Sequence, residues 1–242
     1  MNETIRQLHG RKSVRVFTQQ EISEEAVQQI LLAAAAAPTA GNQQLYTIIR
    51  VTDQALKDAL SKSCDNQPFI SQAKLVLVFC ADCLKWYNAF LSAGCQPRKP
   101  GVGDLLLAVD DAVIAAQNAV VAAHSLGIGS CYIGDIMENA ETQRELLGLP
   151  EYVFPAAMLV FGYPTEQQLR RPKPERADLR YVVCENRYEA LTPEETETMF
   201  TPRCAGKPYA EWMRAFCERK YNSDFSREMT RSVKVFLEQF EK

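Results

Sequence analysis

The chain has 242 residues, a formal net charge of −3, 47% apolar residues and 24% charged residues, which is typical of a folded globular protein and excludes a disordered one. Its 27 basic residues against 30 acidic ones disfavour a general nucleic-acid-binding protein. No stretch approaches eighteen uninterrupted apolar residues and the beginning of the chain lacks an apolar signal segment, so we expect no membrane span, no secretory signal and a cytoplasmic location.

The first part of the chain alternates helix and strand patterns. Ser23, followed by two glutamates, predicts the N-cap of a helix that Pro38 ends. The β-branched and aromatic residues 45–51 predict a strand, and Asp53 can cap the helix after it. The continuous apolar run 74–80 predicts a strand that is buried on both faces.

A long apolar segment follows, at residues 104–126. A helix that is apolar nearly all round is either central in its domain or packed against a partner subunit. Gly127 and Gly129 end this helix, as glycines commonly do. We interpret His124 as a core or interface residue and not as a metal ligand.

The second part of the chain contains the remaining predicted elements. Three further strands are predicted, at residues 130–135, 156–163 and 180–184. The loop 164–179 is rich in Pro and Arg and has no packing pattern, which favours a ligand-binding role. Thr192 begins a capping box with proline at the first helical position, and an amphipathic helix at 226–240 ends the chain.

Cations are concentrated in two segments. The first is Arg11-Lys12-Ser13-Val14-Arg15, directly after a short N-terminal helix pattern; the second is Arg170-Arg171-Pro172-Lys173, with Arg176 nearby. Guanidinium and ammonium groups beside a hydroxyl suit a phosphate, which accepts several charge-assisted hydrogen bonds at once. The alternative is a solvated basic surface around a helix end.

Eight cysteines are scattered along the chain, several of them inside apolar runs, which favours buried free thiols in a reducing compartment. Cys80 and Cys83 form a C-x-x-C at a predicted strand end, so a thiol redox pair or half of a metal site is a second interpretation. A zinc site would need another pair of ligands at a suitable spacing, and only two histidines are available, so we expect no metal.

Motifs for hydrolysis, for a Rossmann dinucleotide fold and for a P-loop do not occur in the sequence. A protein that is poor in nucleophiles but has anion-binding cations is often one whose cofactor carries the chemistry. Residues 37–44 supply small and amide-bearing side chains that suit a flat heterocycle, although taken alone they are also compatible with an ordinary polar loop.

These segments together resemble the nitroreductase family of FMN-dependent oxidoreductases, in its NADPH nitroreductase and flavin reductase branch. The family's opening pattern of a basic residue, Arg, Ser, any residue and Arg is similar to residues 11–15, with Lys12 in place of an arginine. The family's Pro-Ser-x-x-Asn loop resembles residues 38–42. Further matches follow in the family's order at Gln67, at Gly129–Gly134 (Gly-x-x-Tyr-Ile-Gly), at Arg171-Pro172-Lys173 with its two cations exchanged, and at Glu185-Asn186-Arg187-Tyr188.

The resemblance implies an α+β (α/β/α-like) fold, with a mixed, mainly antiparallel sheet wrapped by helices, assembled as an intertwined homodimer. Residues 1–190 would form the FMN-binding domain and residues 191–242 a helical extension of it. The apolar helix 104–126 would form the core of the dimer.

The resemblance also implies which residues meet the cofactor. Those at the FMN phosphate and ribityl chain would be Arg11, Lys12, Ser13, Arg15, Arg171 and Lys173. Those at the flavin ring would be Gln67, the backbone of Tyr132, Ile133 and Gly134, and, reaching from the other subunit, Thr39 and Asn42. Those at the nicotinamide donor would be Arg219 and Lys220.

The implied function is transfer of a hydride from NADPH or NADH through bound FMN to a nitroaromatic compound, a quinone or a free flavin. No protein side chain has to serve as a nucleophile or general base, so the scarcity of histidine is compatible with this chemistry. A non-catalytic flavin-binding or flavin-storage protein is the alternative. The expected partners are a small-molecule electron acceptor and a second copy of the chain, without nucleic acid or membrane.

Overall fold

The computed structural model describes residues 1–241, which form eleven α-helices and four β-strands. The strands are β1 Tyr46–Val51, β2 Leu75–Asp82, β3 Gly129–Ile133 and β4 Val153–Gly162. The helices are α1 Glu3–Gly10, α2 Glu24–Ala35, α3 Gln54–Ser63, α4 Pro68–Ser71, α5 Leu84–Ser92, α6 Val102–Ser125, α7 Ala140–Leu147, α8 Glu166–Arg170, α9 Pro193–Phe200, α10 Tyr209–Lys220 and α11 Asp224–Leu237.

The four strands form one sheet in the order β1-β2-β4-β3, and every neighbouring pair is antiparallel. Every residue of the two central strands β2 and β4 is buried, which explains why their sequences are apolar runs without alternation. Helix α6 packs on the sheet and α2 packs on α6. This arrangement confirms the predicted α+β fold class.

The strand β4 begins three residues earlier than predicted, because it runs through Pro155. Proline lacks the N–H that a ladder bond requires, so its presence argues against a central strand. Here Pro155 pairs only with Cys80 of β2, beside an irregularity in the register at Phe79 and Cys80, and β3 does not reach this level. The proline therefore lies where β4 has a neighbour on one side only.

Helix α6 is the long apolar helix that the sequence predicts, and it begins with a capping interaction. The carboxylate of Asp104 accepts a 2.8 Å hydrogen bond from the Gly101 N–H, and Gly127 follows the helix with a φ of 74°. By length and composition alone, α6 is long and apolar enough to cross a membrane. The central helix of a folded domain meets the same two criteria, and nine residues of α6 are buried in this core.

The other predicted helix starts are confirmed at the level of single hydrogen bonds. Ser23 Oγ accepts from the Ala26 N–H at 3.2 Å, and Asp53 Oδ2 accepts from the Leu56 N–H at 2.8 Å. Thr192 and Glu195 form the reciprocal capping box expected from their spacing.

The predicted strand at 180–184 is wrong. Residues Leu179–Tyr181 form a 3₁₀ turn, which Asp178 caps by accepting a 3.0 Å hydrogen bond from the Arg180 N–H. The side chains of Val182 and Val183 are 65% and 59% exposed. Strand propensity reflects packing against neighbouring strands, and this segment has none, so the local turn chemistry of Asp178 prevails.

The N-terminal basic segment lies against the sheet because two glycines make room for it. Ser13 forms a parallel bridge with Ser130 of β3, and the Val14 N–H donates to the Ser130 carbonyl at 2.9 Å. Gly129 and Gly162 face each other across β3 and β4. A Cβ on Gly129 would lie 2.6 Å from Val14, and a Cβ on Gly162 would lie 2.6 Å from Phe17. The missing side chains thus let the segment after α1 sit directly on the sheet.

By their internal contacts, the residues divide into two units. The first is Met1–Pro172 together with the chain from Met229 onward, and it contains the sheet. The second is Lys173–Glu228.

Candidate functional site

The two basic segments of the sequence meet within the first unit. Lys12 Nζ donates to the main-chain carbonyl of Leu169 at 2.8 Å and also to that of Arg171. Arg171 Nη2 donates in return to the Ser13 carbonyl at 2.6 Å, and the Arg15 N–H donates to Gln168 Oε1 at 3.3 Å. Main-chain carbonyls therefore hold these cations together, with no carboxylate among the hydrogen-bond partners.

Within residues 1–241, no ion pair involves Arg11, Lys12, Arg15 or Arg171. Two guanidinium nitrogens of this cluster, Arg11 Nη1 and Arg171 Nε, are buried and make no hydrogen bond. Buried polar donors are normally satisfied, so two such atoms in one group of cations indicate the place of an acceptor. We call these four residues the cation cluster.

Strand β3 runs beside the cation cluster. Burial raises the pKa of the Tyr132 phenol to about 12, with the positive charge of Arg11 acting in the opposite direction. Burial also raises the pKa of the Cys131 thiol, and the charges of Arg15 and Arg11 again oppose that shift. A cavity of about 120 Å³ lies at this position, and its walls include Arg11, Lys12, His124, Ser130 and Gln168.

The amide-rich loop between α2 and β1 is held by a carboxylate that sequence reasoning did not assign to the site. Asp111 of α6 is only 3% exposed. Its Oδ2 accepts from Thr39 Oγ1 at 2.6 Å and from the Leu45 N–H at 3.1 Å, and its Oδ1 accepts from the Ala40 N–H at 2.9 Å. Thr39 Oγ1 accepts in turn from the Gln44 N–H at 2.7 Å.

Helix α5 holds the same loop from another direction. Trp86 Nε1 donates to the Gln43 carbonyl at 2.8 Å. Lys85 Nζ donates to the carbonyls of Gln44 and Tyr46 at 3.2 and 2.5 Å. The loop is therefore fixed by side chains from two helices.

Gln67 lies just before α4 and is half-buried. The side-chain Nε2 of Gln67 donates to the Cys64 carbonyl at 2.9 Å, and the main-chain carbonyl of Gln67 accepts from Ser61 Oγ at 2.8 Å. Asp65 and Asn66, with φ values of 59° and 50°, form the left-handed turn before it. One N–H of the side-chain amide is therefore used within the protein.

The C-x-x-C pair does not have the properties of a redox centre. Burial raises the pKa of Cys80 and of Cys83 to about 12, and in both cases the charge of Asp82 adds to the shift. Both thiols are free, and the part of the chain that the structure describes contains no group of three or more His, Cys, Asp or Glu residues that could hold a metal ion. At neutral pH the reactive thiolate form is scarcely populated.

The second unit contains a separate arginine-rich cavity of about 640 Å³. Arg176, Arg180 and Arg203 line it, together with the rings of Tyr181 and Phe200. The guanidinium of Arg203 lies over three rings, at 5.7 to 5.8 Å from the centroids of Phe200, Trp212 and Phe216. The attraction of a cation to ring faces helps to hold the Arg203 guanidinium in place.

The two residues predicted at the nicotinamide donor lie elsewhere in the second unit. Both belong to the last turn of α10. Arg219 lies over the ring of Phe216 at 5.3 Å and Lys220 over that of Phe225 at 5.7 Å. Neither lines the arginine-rich cavity.

A family model described as "Nitroreductase family" matches residues 8–163, which is more than half of the chain and includes most of the first unit. The chain belongs to the nitroreductase family.

Similar nitroreductases and flavin reductases cover 79 to 98% of the chain. An oxygen-insensitive NADPH nitroreductase of Salmonella typhimurium is 38% identical over 192 residues, covering 79% of this chain and 77% of the relative. An FMN reductase [NAD(P)H] of Bacillus subtilis is 31% identical over 241 residues, covering 98% and 92%. The solved structure of the NADPH:FMN oxidoreductase from Vibrio harveyi complexed with NAD⁺ matches with a TM-score of 0.83 at 28% identity, covering 98% of each chain.

Several residues of this nitroreductase were missed by sequence reasoning. No role is predicted for Asp111 from the sequence, although an acid on the buried face of an apolar helix is itself a signal for a buried acceptor. Arg203 could have been found from the aromatic residues at positions 200, 212 and 216, two of which are one helical turn apart. Nothing in the sequence marks Lys85 or Trp86, because their partners are main-chain carbonyls.

Proposed function

We propose that this protein is an FMN-dependent oxidoreductase that passes hydride from NADPH or NADH through bound FMN to flat, electron-poor acceptors such as nitroaromatics, quinones or free flavins. The observation that carries the proposal is the cation cluster, which gathers four positive side chains without a carboxylate partner. The names of the relatives, which include FMN reductase and NADPH nitroreductase, support it.

The cation cluster has the donor set that an FMN phosphate requires. Arg11 Nη1 and Arg171 Nε are buried donors that lack acceptors, and a phosphate offers three strongly accepting oxygens. We assign Ser13 and Arg15 to the same phosphate and ribityl chain. Lys12 has a supporting role in the cluster, because its ammonium group already donates to two main-chain carbonyls. Lys173, which the resemblance also implies at the phosphate, belongs to the second unit.

We assign the flavin ring to three segments of the chain. Gln67 lies just before α4, and the segment Tyr132–Gly134 leaves the edge strand β3 for a 3₁₀ turn. Thr39 and Asn42, on the loop that Asp111 holds, would meet the ring bound to the other subunit. Bound FMN would supply hydride acceptance and two-electron delivery, while these residues bind the ring, orient it and exclude water from it.

A homodimer is part of the proposal. Helix α6 buries one face in the core and exposes Leu106, Leu107, Val113 and Ile114 by 39 to 61% on another. Several large apolar side chains exposed on one helix are typical of a protein–protein interface. Sedimentation velocity should show a dimer for the wild type, and Leu106→Glu should shift it towards monomer. A monomeric wild type would contradict this part of the proposal.

We assign the phosphates of the nicotinamide donor to the arginine-rich cavity of the second unit. Its three guanidinium groups and two rings suit a ligand that combines phosphates with a flat base. Arg219 and Lys220, which the resemblance implies at the donor, lie in the last turn of α10 and do not line this cavity.

The first experiment is a visible spectrum of the purified protein with added FMN, followed by anaerobic addition of NADPH and, separately, NADH. We expect a bound flavin whose absorbance bleaches with at least one donor. A bound flavin that stays oxidised would identify the non-catalytic flavin-binding alternative, and no uptake of FMN would overturn the proposal. Arg11→Gln should weaken FMN binding by about tenfold or more, whereas Arg6→Gln, on the exposed face of α1, should not.

A further inference from the structure

The loop that the proposed function places at the flavin adopts a conformation that its sequence does not favour. Gly41, Asn42 and Gln44 have φ values of 56°, 57° and 50°. Glycine accepts this left-handed region and asparagine tolerates it, but for glutamine it is unfavourable. Side chains of two other helices, α5 and α6, make the hydrogen bonds that compensate for this unfavourable loop conformation.

Asp111 is the centre of these bonds. Its two oxygens accept three hydrogen bonds from one seven-residue segment, at distances of 2.6 to 3.1 Å. The carboxylate is 3% exposed, and no Lys or Arg forms an ion pair with it in the described residues. A buried carboxyl group is costly unless its oxygens are satisfied, so the loop conformation and the Asp111 side chain stabilise each other.

The position of Asp111 on α6 connects the loop to the proposed dimer face. Leu107 lies one turn before it and Ile114 lies one turn after it, and both are exposed. Asp111 therefore lies on α6 beside two side chains that a second subunit would cover. A loop held at this place can reach across the interface.

We propose that Asp111 is a positioning residue, which holds the loop 39–45 in the conformation that presents Thr39 and Asn42 to the FMN of the other subunit. This inference rests on the proposed function. Asp111 itself does not touch the cofactor; it acts through Thr39, Ala40 and Leu45. The hydroxyl of Thr39 donates to Asp111 and accepts from Gln44, so Thr39 serves the flavin through its position and not through its hydroxyl.

The test compares Asp111→Asn with Asp58→Asn, which makes the same chemical change on the exposed surface of α3. Asparagine has the shape of aspartate but turns an N–H₂ towards at least one of the three donors. We expect amide hydrogen exchange in residues 38–46 to accelerate by about tenfold or more in Asp111→Asn, with the exchange of β2 and β4 unchanged. The dissociation constant of FMN, measured by fluorescence quenching, should rise by about tenfold or more. Asp58→Asn should change neither quantity.

A second pair of variants guards against a failure of Asp111→Asn to fold. Thr39→Val keeps the shape of the side chain but removes its hydroxyl, whereas Thr39→Ser retains the hydroxyl. We expect Thr39→Val to accelerate exchange in the loop and weaken FMN binding, and Thr39→Ser to recover both.

Two results would overturn the inference. Unchanged exchange of the loop in Asp111→Asn and Thr39→Val would mean that the carboxylate does not hold it. Faster exchange with an unchanged dissociation constant for FMN would mean that the loop does not serve the flavin. A wild-type protein that binds no FMN would instead overturn the proposed function, while the exchange measurement would still decide whether Asp111 holds the loop.

Discussion

Arg171 donates a 2.6 Å hydrogen bond from its guanidinium to the main-chain carbonyl of Ser13, a residue 158 positions earlier in the chain. Lys12 makes the reciprocal connection by donating to the carbonyls of Leu169 and Arg171. The two basic segments are thus interlocked through neutral acceptors, so their positive charges remain close together without neutralisation. A bound anion should relieve this repulsion.

The first prediction is that FMN and inorganic phosphate raise the Tm of the protein, because each binds the native cation cluster. A ligand at 100 times its Kd adds about 2.7 kcal/mol to the free energy of unfolding. Arg171→Gln should reduce the gain in Tm, whereas Arg170→Gln should leave it intact, since Arg170 is exposed and pairs with Glu166 at 3.5 Å. The measurement is differential scanning calorimetry with KCl at matched ionic strength. Equal gains in the two variants would contradict the assignment of Arg171.

The second prediction concerns the facing glycines. Gly129→Ala or Gly162→Ala should lower the free energy of unfolding by about 1–3 kcal/mol, because the new Cβ collides with Val14 or Phe17. Both variants should also weaken FMN binding, since the segment that carries the cation cluster is displaced. Gly103→Ala is the matched control: nothing lies within 4 Å of its Cβ, so it should be neutral or stabilise α6 by up to about 1 kcal/mol. Urea unfolding measures all three, and equal effects would disprove the steric explanation.

The third prediction separates donor binding from flavin binding. Arg203→Gln should raise KM for NADPH by about tenfold and leave the dissociation constant of FMN unchanged, because Arg203 lies in the arginine-rich cavity of the second unit. Arg219→Gln should have a smaller effect on KM. Steady-state kinetics with NADPH and NADH give both values. A dominant effect of Arg219→Gln would instead favour the donor residues that the sequence predicts.

The fourth prediction is a loss of stability at alkaline pH. Burial raises the pKa of Cys64 and of Cys80 to about 12 in the folded protein, whereas in the unfolded chain a thiol ionises near its ordinary value of 9. The unfolded state therefore releases protons first, and the contribution to stability, complete below pH 9, is lost as the pH rises from 9 towards 12. The free energy of unfolding, measured with urea at about pH 8, 9, 10 and 11, should fall by up to about 1.4 kcal/mol per pH unit for each thiol.

Cys80→Ala tests the cause of this slope. The variant should be less stable than the wild type at pH 8, because it leaves a small cavity, but its free energy of unfolding should fall less steeply above pH 9. Identical slopes would show that other groups cause the alkaline transition.

The sequence predicts most of the fold because its local signals are strong. The side-chain caps at Ser23, Asp53 and Thr192 all form as expected, and the two buried strands β2 and β4 lie where the apolar runs predict them. These features depend on residues a few positions apart, and such short-range chemistry can be predicted without knowledge of the tertiary structure.

The failures lie where distant contacts decide the outcome. Val182 and Val183 have the composition of a strand, but no strand lies beside them. Strand β4 can include Pro155 because β3, its partner on one side, does not extend to that position. The sequence likewise predicts the basic residues of the site but not Asp111, whose three partners lie 66 to 72 positions away.

Trp86, whose indole N–H donates to the Gln43 carbonyl, gives the protein a built-in optical probe. The chain has two tryptophans, and each unit contains one: Trp86 in the first, and Trp212, stacked on Phe216, in the second. A single Trp→Phe substitution therefore isolates the emission of either unit. With Trp212→Phe, intrinsic fluorescence reports on the loop beside α5 alone, so its ordering can be followed in real time without any attached dye.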